Sequence, residues 1–452
     1  MTPLDSSIVS IALPSIASNL QIDYATVIWI PTSYLLCLSA LLLIFGRFAD
    51  TRGRRRPFIL GFALFTIASA LCATSQNGVQ LIFFRSVQGL SAAMVSATAP
   101  AIVTDAFPDQ RGKALGINAM AVYGGLSTGP TLGGFLVQYL GWRWIFFINL
   151  PIGIFVVTLS LWKLKESIAL DKKERFDLVG AGTFSTALAA FLLALTLGPD
   201  YGWKGIGIAG LLVLTGVAFF LFIVAERRIG ERAMFDISLI SRNRLFASAN
   251  LTALLNYTSM FGVTFLMSFY LQRILGFGPA KAGIVLLSMP LTMAMLSPVS
   301  GWLSDKFGSR VLSSAGMALT CLALFMLSTL TVTFPAFYVV LMLLVLGLGM
   351  GIFSAPNTSS VMGSVGKNRL GVAAGTLSTM RFTGQSLSIA IMGAVTATAI
   401  PSTILSGLLI GIQSDIGTVA TEAFVEGIHR AFFVSGFIAA LGVFTSLVRG
   451  KA

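Results

Sequence analysis

GRFADTRGRRR at 46–56 and GWLSDKFGSR at 301–310 carry the same pattern twice. Each has a glycine, an acid four residues later, and a second glycine followed by basic residues: Gly46, Asp50, Gly53 and Arg54, then Gly301, Asp305, Gly308 and Arg310. Each also follows the second of six apolar stretches. A motif recurring at the same place in two halves of a chain marks a structural repeat. Fourteen such stretches can be drawn: 1–20, 26–48, 57–76, 79–103, 111–138, 143–163, 177–197, 203–224, 244–272, 280–304, 310–331, 335–357, 369–398 and 429–449. They match the roughly 20 residues an α-helix needs to cross a bilayer. The expected architecture is an all-α polytopic membrane protein with fourteen transmembrane helices. One six-helix bundle spans 1–163, two inserted transmembrane helices with their linkers occupy 164–243, and a second six-helix bundle spans 244–452.

Composition excludes a soluble chain: among 452 residues, 56% are hydrophobic and 10% charged, with a mean hydropathy of +0.88. The net charge of +13 is not a nucleic-acid signal, because the basic residues are spread over short loops rather than clustered on one face. Of the 30 Lys and Arg, 23 fall on one side of the spans and five on the other. Cytoplasmic loops retain positive charge, so both termini are expected in the cytoplasm, with the chain embedded in the cytoplasmic membrane of a prokaryotic cell. Cys37, Cys72 and Cys321 are scattered and give neither a metal-ligand spacing nor a disulfide framework. His429, the single histidine, is expected at the interface, after a long external loop at 399–428 that carries Asp415, Glu422 and Glu426. No metal and no cofactor is expected, nor a cleavable signal peptide, a lipidation motif or a soluble domain.

Asp5, in MTPLDSSIVSIALPSIASNL (1–20), is the one carboxylate of 17 that falls inside an apolar stretch. An acid in hydrocarbon costs roughly 2.5–3.5 kcal/mol on insertion scales, which makes it a functional-site candidate by default. Arg85 and Arg381 are the two mid-span cations, one in each half. Parallel six-helix repeats are the plan of secondary transporters that rock about a central site.

These motifs together resemble the major facilitator superfamily, and within it the fourteen-helix drug:proton antiporter branch. LDSSIVSIALPSIA (4–17) is similar to that branch's first-helix signature, with Asp5 as its acid and Ser7 and Ser10 in place of the usual Thr and Asn. LIFFRSVQGLSAA (81–93) matches the fourth-helix motif through Arg85, Gln88 and Gly89. GGLSTGPTLGG (124–134) resembles the fifth-helix exporter motif, and GWRWIFFINLPIG (141–153) the usual entry to helix six. The resemblance covers essentially the whole chain. Family members carry roughly ten more apolar residues ahead of the acid, so either Met1 is internal to the true reading frame, the preferred reading, or the first helix is short, with Asp5 near its cytoplasmic end.

The resemblance assigns roles. Asp5 and Arg85 are expected to pair and to couple proton and substrate, or to act as a structural bridge; the two alternatives weigh evenly. Gly46, Asp50, Gly53 and Arg54, with Asp105 at the end of helix four and Asp305 in the repeat, are expected to form a cytoplasmic latch favouring the outward-facing state. Arg55 and Arg56 read as topology anchors. Gly125, Gly129 and Gly133 share one helix face, where small residues allow close helix approach, and Pro130 and Gly134 complete the motif. Trp29, Tyr34, Gln88, Asn256, Tyr257, Asn357, Arg381 and Gln385 are the candidates for a substrate cavity, although each amide taken singly reads first as a plain interhelical hydrogen bond.

An enzyme would need a reactive cluster that this chain lacks, and a sensor would need a signalling domain or a long tail. The expected function is proton-driven export of amphiphilic or cationic compounds such as drugs by alternating access, with a specific metabolite, taken up or exported, as the other reading. The expected partners are a small amphiphilic substrate, protons and the lipid bilayer, with no nucleic acid, and the resemblance implies a monomer.

Overall fold

The computed structural model describes residues 1–107, 111–164, 178–229, 237–366, 369–399 and 418–449. Helices occupy every one of the fourteen apolar stretches, and the described residues contain no strand. In chain order they are α1 (Thr2–Leu20), α2 (Tyr24–Arg52), α3 (Arg55–Thr74), α4 (Gly78–Ala106), α5 (Arg111–Tyr139), α6 (Trp144–Phe147) and α7 (Asn149–Lys163). Two more, α8 (Leu178–Tyr201) and α9 (Ile206–Ile229), form a hairpin. The remainder are α10 (Ile237–Arg242), α11 (Arg244–Met260), α12 (Gly262–Phe269), a π-turn (Tyr270–Ile274), α13 (Pro279–Phe307), α14 (Ser309–Leu327), α15 (Ala336–Gly363), α16 (Leu370–Ala397) and α17 (Thr418–Leu447). Eleven described stretches are both long and apolar enough to cross a bilayer. The helices α1, α5 and α16 have 19, 29 and 28 residues, which is enough length for a crossing, but are richer in Gly, Ser and Thr.

Packing follows the repeat. In the first half α4 packs on α2 and α3, and α5 packs on α1; in the second, α15 packs on α13 and α14, and α11 on α16 and α17. The halves meet along two seams, α5 with α13 and α2 with α16. The inserted hairpin lies outside: α8 leans on α2 and α16, while α9 exposes Val213, Phe219 and Phe220.

The duplicated motif is visible in the backbone. Gly53 (φ 95°) ends α2 and Gly308 (φ 83°) ends α13 at matching positions, both in the region where a Cβ is strained. Three positions differ from the sequence expectation. Helix α2 continues to Arg52, so Asp50 sits on a helix rather than in a loop. Helix α17 begins at Thr418, eleven residues before the expected span, so Glu422, Glu426 and His429 are helical, while Asp415 lies outside the described residues. There Glu426 pairs with Arg430 at 2.9 Å and His429 contacts the Leu330 carbonyl. Finally, Asp5 is not the only carboxylate buried on a spanning helix: Glu226, in the last turn of α9, is 1% exposed.

Candidate functional site

Asp5 sits in the first turn of α1, yet it is fully buried within the first bundle. The position near the end of the span is the expected one, but the carboxylate is enclosed by side chains rather than left at an open surface. Its carboxylate is surrounded by donors from α4 and α7. Arg85 Nη1 donates to Oδ2 at 2.6 Å, and Gln88 Nε2 and Asn149 Nδ2 each donate to Oδ1 at 3.0 Å. The network closes on itself: Arg85 Nη1 also donates to Gln88 Oε1 at 2.6 Å, and Gln88 Nε2 donates to Ser69 Oγ on α3 at 2.7 Å. A buried ion pair held by further hydrogen bonds is the arrangement that offsets the cost of desolvating both charges.

Asn149 and Ser69 were not singled out from sequence, although Asn149 lies in the quoted GWRWIFFINLPIG stretch. The signal available was a polar residue placed between apolar ones at a helix start, which is weak by itself.

Tyr34 separates this network from open space. Its ring lies 4.2 Å from Arg85 Cζ, in cation–π contact. Its backbone is pinned by Gly89, where an added Cβ would collide with the Tyr34 carbonyl. The far side of Tyr34 lines a cavity of about 430 Å³ between the two halves. Pro3, Ser6, Ser7 and Ser10 of α1 face the same cavity, whereas Asp5 does not. The Tyr34 hydroxyl is buried without a hydrogen-bond partner among the described residues.

Of the eight expected cavity residues, Tyr34, Tyr257, Arg381 and Gln385 line the cavity. Arg381 Nε and Nη2 donate to the Tyr257 hydroxyl oxygen at 2.8 and 2.7 Å. The other four lie elsewhere. Gln88 belongs to the Asp5 network, and Trp29 packs against the apolar cluster built largely from the inserted hairpin. Asn256 Nδ2 contacts Met317 Sδ at 3.0 Å within the second half, and Asn357 accepts from the buried Arg449.

The cavity lies toward the Arg54 end of the bundles: its lining includes Leu42, Pro100 and Asn118, all from the halves of α2, α4 and α5 nearer that end. The opposite end is stitched shut across the halves. The π-turn aims Gln272 and Arg273 at α1, where they donate to the carbonyls of Ile11 (3.0 Å) and Pro14 (2.8 Å). Gln138 of α5 accepts from the Ala280 amide of α13 at 3.0 Å.

The glycine run on α5 serves two partners. A Cβ on Gly125, Gly129 or Gly133 would press on Leu4, Ser7 or Ile8 of α1, the residues flanking Asp5. Gly134 instead abuts Pro279 and Ala280 of α13, and the Pro130 carbonyl abuts Gly283. At the Arg54 end, Arg54 Nη1 meets Asp105 Oδ2 at 2.6 Å. The equivalent contact in the second half is neutral, Ser309 with Ser360 at 2.8 Å, at the same sequence separation of 51 residues. A Cβ on Gly46 or Gly301 would stand 3.9 or 3.8 Å from Ala97 or Ala355. The side chains of Asp50 and Asp305 lie outside the described residues.

The model of the Major Facilitator Superfamily matches residues 1–177 and 176–389. The chain belongs to that superfamily. Its members are transporters, not enzymes. The chain is 34% identical to the riboflavin transporter RibZ of Clostridioides difficile, over 84% of this chain and 82% of that one. It is also 34% identical to the multidrug resistance protein Stp of Mycobacterium tuberculosis, over 96% and 81%. To the tetracenomycin C resistance and export protein of Streptomyces glaucescens it is 29% identical, over 100% and 90%. In fold it is similar to a bacterial homologue of the lysosomal transporter Spinster, crystallised inward-facing and unoccupied. That match has a TM-score of 0.71 and 17% identity, covering 99% of this chain and 93% of that one.

Proposed function

We propose that this transporter exports amphiphilic compounds across the cytoplasmic membrane in exchange for protons, by alternating access. The observation that carries the proposal is the adjacency of a buried, titratable carboxyl network to a cavity of ligand size, with one tyrosine between them. Ligand pockets usually span about 300–1,000 Å³. In the unprotonated state Asp5 neutralises Arg85; a proton on Asp5 breaks that pairing and leaves the guanidinium to find other acceptors. The same residues thereby register both proton binding and, through Tyr34, the occupancy of the cavity.

The excess of basic residues on the Arg54 side supports placing that end in the cytoplasm. The stitched end then faces outward, and the cavity is offered to the interior, where an exporter loads. The Arg54–Asp105 pair, formed within the first half even with the cavity open toward its end, is taken as one element of the cytoplasmic latch and not as its closure, and the α8–α9 hairpin stands apart from the rocking halves. Export is favoured by the relatives named for multidrug resistance and tetracenomycin export. A second reading, transport of one defined metabolite, is favoured by the relative named as a riboflavin transporter.

Everted vesicles carrying an imposed proton gradient test the choice. Dissipation of the gradient by structurally varied amphiphiles supports the export of many compounds. A response to riboflavin alone supports the second reading, and no response to any of them refutes proton-coupled export.

A further inference from the structure

We infer that the cavity is built for an amphiphilic organic anion, of the class of aromatic carboxylates, sulfonates and phenolates, gripped through Arg381. The inference rests on the export reading in one respect, that this cavity is the substrate's seat. Its basis is the sign of the charge presented to the cavity. Among the described residues lining it, Arg381 is the only charged side chain. The one nearby intramembrane acid, Asp5, faces the other side of Tyr34 and is engaged by three donors. A cation entering the cavity therefore meets a guanidinium and no carboxylate, whereas an anion meets an opposite charge.

The surroundings strengthen the preference. Met260, Met289, Met293 and Met350, with Phe261 and Phe382, supply an apolar and adaptable wall. Beside walls that are mostly apolar, a fixed charge acts more strongly than it does in bulk solvent. The Tyr257 oxygen accepts from Arg381 Nε and Nη2, which fixes the guanidinium at the cavity wall. Across the cavity, Tyr34 of the other half forms part of the wall. Among the described lining residues, no carboxylate answers the cationic half of the expectation drawn from the sequence.

Tetraphenylborate and tetraphenylphosphonium have nearly the same shape and opposite charge, so comparing them isolates the sign. Binding of each is measured to the full chain in nanodiscs of neutral lipid, with partition into empty nanodiscs subtracted. The expected result is that the borate binds at least about tenfold more tightly, as an opposite charge in a poorly solvated site requires. Arg381→Gln brings the ratio close to one, and Arg381→Lys retains most of it. Equal or tighter binding of the phosphonium overturns the inference, as does a ratio that Arg381→Gln leaves unchanged. Should Arg381→Gln fail to assemble, the ratios for the unmodified chain and for Arg381→Lys still decide. Proton-driven transport of the two ions, followed separately in proteoliposomes, distinguishes the two claims. Arg381-dependent anion binding without gradient-driven movement sinks the export reading alone. Gradient-driven phosphonium export indifferent to Arg381→Gln sinks the charge assignment alone.

Discussion

Asp5 and Arg85 were legible as a pair because charges in hydrocarbon each need a partner and the family resemblance sets helices one and four side by side. Asn149 and Ser69, which complete the network, are neutral and carry no comparable penalty, so the chain marked them only weakly. Asp5→Asn keeps the shape and most of the hydrogen bonds while removing the titration. The expected outcome is a folded protein whose substrate binding persists and whose substrate-induced proton release in detergent is lost. Proton release equal to that of the unmodified chain contradicts the role given to Asp5. Arg85→Ala is harsher, because an uncompensated buried carboxylate costs about 3–5 kcal/mol; a marked drop in melting temperature and yield is expected. Tyr34 separates two further possibilities. Tyr34→Phe keeps the ring over Arg85 and removes only an unpartnered hydroxyl, so stability is expected to hold. Tyr34→Ala opens the wall, and proteoliposomes bearing it are expected to leak protons without substrate.

Among the helices, regular spacing was legible and partners were not. The four-residue glycine interval on α5 announced a packing face, but only the structure shows that it divides between α1 and α13. Two substitutions of the same kind therefore have different effects. Gly129→Val displaces α1 beside Asp5 and is expected to abolish the proton response. Gly134→Val strains the α5–α13 seam, so it is expected to impair assembly of the halves, read as loss of a monodisperse species in gel filtration. The start of α17 was misplaced for a related reason. Glu422 and Glu426 gave 418–428 the look of a loop, yet Ala420, Phe424, Val425 and Ile428 recur at helical spacing and are buried on one face. Trp29, Asn256 and Asn357 show the same limit, since a polar or aromatic residue on a spanning helix does not reveal which neighbour it faces. At the Arg54 end, the charged contact of one half and the hydroxyl contact of the other imply unequal sensitivity to salt. Arg54 is 15% and Asp105 49% exposed at the side chain, so the pair contributes at most about 1 kcal/mol to stability. Arg54→Ala is expected to leave the melting temperature nearly unchanged while shifting the balance between the two access states, measurable by spin-label distances across the cavity mouth.

For the whole molecule, the duplicated glycine–acid motif foretold two packed halves, and the closed end with a central cavity follows from how those halves meet. Sequence did not foretell which end is closed, because that depends on contacts between distant helices such as Arg273 with Pro14. Alternating access requires those contacts to break and reform in every cycle, carrying a proton one way and an amphiphile the other. The most direct measurement imposes a proton gradient on proteoliposomes and follows accumulation of a fluorescent aromatic sulfonate, side by side for the unmodified chain and Asp5→Asn. Accumulation that tracks the gradient in the first and vanishes in the second, with binding intact in both, is the predicted result. Gradient-driven accumulation at full rate in Asp5→Asn contradicts it.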